Sequence, residues 1–251
     1  MTDIHTHVLP GVDDGAQDLE DSLAMLRMAA AAGTTDIVAT SHSDPDYIFD
    51  PCVAEEKVAQ LQSAIGDTIR VHYGCEMHLT LENIENVLRS PEEYSICHKG
   101  YLLVEFSNFV VPKSTSEILG RMLDRGLRPI IAHPERNPIL RSKMEEVENW
   151  VSLGCSLQVT GQSLLGRFGK SARKSSLELM SRGLVHFLAS DAHDLLHRPP
   201  VLDEVRKHVE ENFDAEIARM LLVENPQAVV QGLAVALCPP VPKKRPWYAL
   251  W

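Results

Sequence analysis

Seven short apolar runs, at residues 2–6, 36–40, 69–73, 101–106, 128–132, 156–160 and 185–190, set the pattern of this chain. Most are apolar at successive positions, as in Ile37-Val38-Ala39 and Pro129-Ile130-Ile131-Ala132. A strand with one wet face alternates polar and apolar residues. A strand buried on both faces does not, and that is the habit of parallel sheets. Helical spacing fills the intervals: Leu19, Leu23, Leu26 and Ala30 form one stripe, and Val58, Leu61 and Ile65 another. Ser114-Thr115-Ser116-Glu117 reads as a capping box opening a helix with Ile118, Met122 and Leu123. Gly33, Gly126, Gly154 and Gly183 each close a helical segment just before a strand, where a left-handed residue is needed. The recurrent strand–helix–glycine unit predicts an α/β fold. Its 251 residues suit one barrel domain over 1–237. The Pro- and Lys-rich segment 238–251 ends Trp-Tyr-Ala-Leu-Trp and is expected outside the barrel, as a flexible or partner-docking tail.

The ends of these strands carry the chemistry. The first gives His5 and His7, with Asp13-Asp14-Gly15 in the following loop. The second gives His42, the third Glu76, the fourth Glu105 and the fifth His133. The sixth offers only Gln158 and Thr160, and the seventh gives Asp191 and His193. Each residue alone reads as a cap, a turn or a structural histidine. A parallel barrel, however, brings every strand C-terminus to one face, so five histidines and four carboxylates converge there. One catalytic zinc uses about three protein ligands. Nine donors suit two or three divalent ions, and imidazole with carboxylate but no thiolate favours Mn, Fe or Zn. Four carboxylates put about −4 in the empty pocket, and three divalent ions would turn that to about +2, attractive to an anion. Arg136 and Arg198 each follow a candidate ligand by three to five residues, where a guanidinium can clamp phosphate in a bidentate manner. The Ser43–Pro51 loop carries Tyr47 and Phe49, which either line the entrance or pack the loop itself. His72, His78, His98, His186 and His208 read as structural or exposed.

A net charge of −11, from 24 basic and 35 acidic residues, disfavours nucleic acid and anionic membranes as partners. No apolar stretch approaches the ~20 residues that span a bilayer. Five cysteines without close pairing, and an N-terminus without a basic and apolar leader, point to a reducing cytoplasm. A thiol-based phosphatase needs arginine six residues after its cysteine. Those positions hold Val58, Leu81, Leu103, Gly161 and Lys244.

Asp3-Ile-His-Thr-His-Val-Leu-Pro-Gly-Val-Asp-Asp-Gly-Ala16, with Ala-Thr-Ser-His (39–42), Tyr-Gly-Cys-Glu (73–76), Val-Glu-Phe (104–106), Ile-Ala-His-Pro-Glu-Arg (131–136), Ala-Ser-Asp-Ala-His (189–193) and His-Arg-Pro-Pro (197–200), resembles the polymerase and histidinol phosphatase (PHP) superfamily. Within it the chain looks like the bacterial PHP-type protein-tyrosine phosphatases of the CpsB/YwqE kind, over residues 1 to about 236. The resemblance implies a distorted seven-stranded TIM-like (β/α) barrel with a trinuclear, often manganese-dependent site. It implies one metal on His5, His7, Glu76 and Asp191, a second on Glu76, Glu105 and His133, and a third on Asp14, His42 and His193. It also implies a phosphate clamp of Arg136 and Arg198, and attack of a metal-bridging hydroxide on phosphotyrosine. The expected partner is a phosphotyrosine protein, the C-terminal tail of a bacterial tyrosine kinase controlling capsule or exopolysaccharide synthesis. The oligomeric state stays open, a homo-oligomer included. Asp194 and His197 are the candidates for protonating the leaving phenolate. Rival readings on the residues alone are a histidinol-phosphate or other small-molecule phosphatase, an amidohydrolase-type barrel with a carboxylated lysine, and a non-catalytic metal-binding module.

Overall fold

The computed structural model describes residues 1–240. Seven parallel strands run in the order β1 to β7: Thr2–Thr6, Asp36–Ser43, Arg70–His78, Tyr101–Glu105, Arg128–Ala132, Ser156–Thr160 and Phe187–Ala189. Helices follow the strands, including Leu19–Ala31, Pro51–Ile65, Thr115–Asp124, Met144–Leu153 and Gly169–Ser181. Thr6 bridges Ala192 in parallel, the His7 N–H donates to the Ala192 carbonyl at 2.8 Å, and the Asp191 N–H donates to the His5 carbonyl at 2.9 Å. These contacts join β1 to the segment after β7 and bring the sheet round to a nearly closed barrel, as the alternation predicts.

Two apolar layers hold it. Inside, Ile4, Val38, Leu103, Ile130 and Phe187 fill the barrel, and Val229 and Val230 of the helix Asn225–Gln231 stop its N-terminal end. Outside, the helices pack on the strands through Leu26, Leu61, Leu119, Trp150 and Leu179. A fully buried aliphatic or aromatic side chain stabilises by roughly 1.5–3 kcal/mol. At the floor, the guanidinium of Arg70 grips Asp36 through Nε at 2.7 Å and Nη2 at 2.8 Å, while His72 reaches the same carboxylate at 2.9 Å. This ties the N-terminal ends of β2 and β3 together. The expected helix-closing glycines 33, 126, 154 and 183 all take positive φ.

The structure corrects several expectations. β3 does not stop at Tyr73 but runs on to His78, and β2 runs on to Ser43. The buried face of the first helix centres on Ser22, Met25, Leu26 and Ala29, with Leu19, Leu23 and Ala30 only partly covered. The capping box does not form. Ser114 sits at φ −79, ψ 1, a turn rather than the extended backbone of an N-cap, and makes no cap bond. Its neighbour Thr115 donates its hydroxyl to the Pro112 carbonyl instead. Cys238 is buried, and Cys238 and Pro240 pack tightly on Gly183. The remainder of the expected tail, 241–251, lies outside the described residues.

His186 is 4% exposed; its Nδ1 accepts from the Leu157 N–H at 3.1 Å, which requires a neutral ring. Burial lowers its pKa to about 4. The unfolded ring gains its proton near pH 6.5 and the folded ring only near 4, so the stability from the neutral ring is present above 6.5 and drains away as pH falls through that window. Urea unfolding at pH 7 and pH 5 should therefore show a loss on the order of 2 kcal/mol in the native chain and a smaller one in His186→Gln. Equal slopes for the two proteins would remove this account.

Candidate metal centre

β1 carries His5 within a bulge. Two residues, Ile4 and His5, lie between Asp3 and Thr6, where β2 has only Val38 between their register partners Ile37 and Ala39. Such a bulge re-aims side chains, and here both His5 and His7 reach the mouth of the barrel. The loop after β1 folds back on His7, with the Ala16 N–H donating to the His7 carbonyl at 3.0 Å. Gly15 is required for this close approach, because a Cβ there would stand 2.0 Å from the His7 oxygen. The fold-back brings Asp13 Oδ2 to His7 Nδ1 at 2.8 Å and Asp14 Oδ1 to His42 Nε2 at 3.4 Å and His193 Nε2 at 3.2 Å.

The strand extensions deliver the next donors. His42 and Glu76 are register partners on β2 and β3, and His42 Nδ1 lies 3.2 Å from Glu76 Oε2. Glu76 also lies 3.1 Å from His5 Nε2, 3.3 Å from His7 Nε2 and 3.0 Å from His133 Nε2. Glu105 ends β4 with its Oε1 3.8 Å from His133 Nε2. Asp191 Oδ1 faces His5 Nε2 at 3.3 Å, while Oδ2 takes the guanidinium of Arg136 and that of Arg198, the latter at 2.6 Å. His133 at φ 29 and Asp191 at φ 54 both hold left-handed backbone, an unusual conformation for non-glycine residues that functional sites tolerate.

All nine sequence-predicted donors therefore meet. Four sets of side chains place one donor atom each within 4.8 Å of the others: His7, Asp14, His42 and His193; His5, His7 and Glu76; His5, His133 and Asp191; His42, Glu76 and Glu105. These sets share members differently from the three implied by the resemblance, with His7 joining Asp14 and His42 joining Glu105. Donors in this arrangement fit divalent cations better than one another. His5 Nδ1 engages Gln158 Oε1 at 3.0 Å and His7 Nδ1 engages Asp13, so both protons are spoken for and the two Nε2 lone pairs face each other at 3.3 Å. Glu76 Oε2 and Asp191 Oδ1 are buried without a hydrogen-bond partner. Imidazoles and carboxylates without thiolate are the donors of Mn, Fe and Zn sites.

Electrostatics agree with the geometry. Burial would raise the Glu76 and Asp191 carboxyls, but His5 and His42 around the first, and His5 and Arg136 around the second, hold both well below the usual carboxylate range.

Several residues that the sequence leaves bland prove to support the donors. Asp13, readable only as part of a turn, orients His7 and accepts from the His42 N–H at 3.1 Å. Gln158, on the strand that lacks a ligand, holds His5 and accepts from the His133 N–H at 3.3 Å. Glu135 is fully buried and accepts from the Thr160 N–H at 3.1 Å. His78 is not remote: it ends β3 opposite Glu105 and lies 3.3 Å from its Oε2. Asp194 accepts from the N–H groups of Leu196, His197 and Arg198. Burial would raise its carboxyl, and these donors hold it below the ordinary range, so it is unsuited to give a proton. In the loop after β2, Phe49 packs against Tyr73 and Tyr94, while Tyr47 stacks over His42 at 6.0 Å and stands at the entrance.

A nearly closed parallel barrel with histidine and carboxylate donors at its C-terminal face, and two arginines on one of them, defines a metallohydrolase of the PHP type. Residues 1–231 match the family described as capsular polysaccharide synthesis, CpsB/CapC. The chain is 35% identical over 249 residues to the tyrosine-protein phosphatase YwqE of Bacillus subtilis, covering 98% of this chain and 97% of that protein. It is 31% identical to the tyrosine-protein phosphatase CpsB of Streptococcus pneumoniae, covering 92% and 98%. A crystal structure reported with YwqE and CpsB, described as unique metal-dependent tyrosine phosphatases, superposes with a TM-score of 0.89 at 34% identity, covering 98% of this chain and 100% of that one. The chain belongs to the CpsB/CapC family.

Partners that orient ligating histidines typically contribute 10- to 100-fold in metal affinity. Asp13→Asn should therefore weaken manganese binding by about that factor, read by calorimetric titration of the metal-stripped protein, with circular dichroism unchanged. Native affinity in the variant would show that Asp13 does not act on His7.

Proposed function

We propose that this chain is a metal-dependent protein-tyrosine phosphatase acting on phosphotyrosine in a partner polypeptide. The natural partner on this reading is a bacterial tyrosine kinase that controls capsule or exopolysaccharide synthesis, dephosphorylated on its C-terminal tail in the cytoplasm. The observation that carries the reading is the convergence of nine donors with two guanidiniums on one of them. The relatives' names supply phosphotyrosine as the substrate. Among the described residues no helix is long and apolar enough to cross a membrane, and the described cysteines are all free.

His5, His7, Asp14, His42, Glu76, Glu105, His133, Asp191 and His193 would hold two or three divalent ions, manganese first, with iron or zinc as the other choices. When bound, such ions act as Lewis acids on phosphoryl oxygens and acidify water near neutral pH. The chain's own residues do the rest. Arg136 and Arg198 share Asp191 Oδ2 and are thereby fixed in orientation, and the Arg198 Nε has no partner. Their remaining N–H groups bind the equatorial phosphate oxygens, where charge accumulates in the transition state. Arg136 also lies 4.5 Å over the Phe168 ring, which holds its plane. Tyr47, at the mouth, offers a face to the substrate ring. Because Asp194 is committed to backbone donors, His197 is the remaining candidate to protonate the phenolate.

Turnover of p-nitrophenyl phosphate and of a phosphotyrosine peptide should be lost after chelation and return with manganese. The His5→Ala, His7→Ala double variant should have no measurable turnover. Arg136→Met or Arg198→Met should lower kcat/KM by about 10²–10³, the usual effect of removing one transition-state donor. Full activity in metal-free protein would overturn the proposal.

A further inference from the structure

Of the cavities that adjoin the donor cluster, two on opposite sides of it differ in charge. One, of about 520 Å³, adjoins Asp14 and His193 and is walled by Met25, Leu195 and Leu196, with Asp21 and Asp194 among its lining. The other, of about 280 Å³, adjoins Glu105 and His133 on the far side and is lined by Arg136, Arg141, Asn108 and Phe168. Glu105 is the one carboxylate lining this second cavity, in a protein of net charge −11.

The two arginines there are not equivalent. Arg136 is committed to Asp191 and to the phosphate site. Arg141 closes the short helix Pro138–Ser142, and its Nη1 donates to the carbonyls of Glu135 at 3.4 Å and Arg136 at 3.0 Å. Among the described residues it forms no ion pair, so its charge faces a cavity whose one carboxylate, Glu105, is not its partner. Those two carbonyl bonds hold the side chain half-buried and in place beside the cavity. Asn137, by contrast, is used up: its Nδ2 donates to the Phe106 and Ser107 carbonyls, and its Oδ1 caps Ile139 and Leu140.

We propose that the arginine-lined cavity receives an anionic side chain flanking the phosphotyrosine, with Arg141 as its counter-charge. This rests on the phosphatase reading above and adds a substrate preference to it. A polypeptide laid across the mouth meets carboxylates and an apolar wall on one side and an unpaired guanidinium on the other. Like charges repel and opposite charges attract, so an acidic flank is steered to the Arg141 side. The preference is one of binding. Arg141 bonds to backbone carbonyls and not to the side chains of the donors, and a substrate without a flank does not use it.

The test is steady-state kinetics of the manganese-loaded enzyme on phosphotyrosine peptides with Glu, Ala or Lys on either side, together with p-nitrophenyl phosphate. The native enzyme should favour an acidic flank through KM. Arg141→Gln should raise KM for the acidic peptide about three- to tenfold, leaving kcat and p-nitrophenyl phosphate turnover unchanged. Arg141→Glu should move the preference toward Lys. An equal fall on all substrates would make Arg141 a scaffold of the 133–141 turn and overturn the proposal. So would a native enzyme indifferent to flanking charge, or an acidic preference that survives Arg141→Gln. No turnover of any aryl phosphate by native enzyme would instead be the failure of the phosphatase reading.

Discussion

Asp191 is the point at which fold and site depend on each other. Its backbone N–H joins the barrel's last strand to its first through the His5 carbonyl. Its Oδ1 faces the imidazole of the same His5, and its Oδ2 receives Arg136 and Arg198. A buried carboxylate between imidazoles and guanidiniums is tolerable only if each oxygen is matched. Asp191 meets this demand on one side only: Oδ2 is matched by the two guanidiniums, and Oδ1 is left without a hydrogen-bond donor among the imidazoles, as a ligand oxygen would be. Barrel closure, ligand placement and the orientation of two cations thus follow from one residue.

The rest of the mouth is built by varying one theme. Every strand but β6 carries a donor near or just past its C-terminal end, and a neutral or second acidic group fixes several of the imidazoles. Gln158 does this for His5, Asp13 for His7, and the Asp191 carbonyl, 3.1 Å from Nδ1, for His193. An imidazole whose Nδ1 proton is engaged presents only its Nε2 lone pair, so tautomers are set before any ion arrives.

Much of this was legible in the sequence, and what was not has identifiable causes. The ends of β1, β5 and β6 fall where the apolar runs stop. The third apolar run stops at Tyr73, just before Gly74, so the extension of β3 to His78 does not show in the pattern. In the barrel Gly74 continues the strand, since a Cβ there would stand 2.7 Å from Val38 Cγ1. The nine donors were visible because eight of them sit near or just past strand ends and Asp14 lies in the loop after the first, all with strong ligand chemistry. Asp13 and Gln158 were not, because a turn aspartate and a strand glutamine are common and act only through a neighbour's ring. His78 hid for a related reason: with β3 ended early, it fell outside any strand. The failed capping box shows that a four-residue motif yields to a local turn when Thr115 finds the Pro112 carbonyl.

The side chains that fill the barrel, with Val229 and Val230 below them, leave no passage through it. Water, substrate and both products share one opening. Every donor of the cluster is therefore reached from the side of the strand C-termini, and the apolar interior keeps the opposite end of the barrel dry.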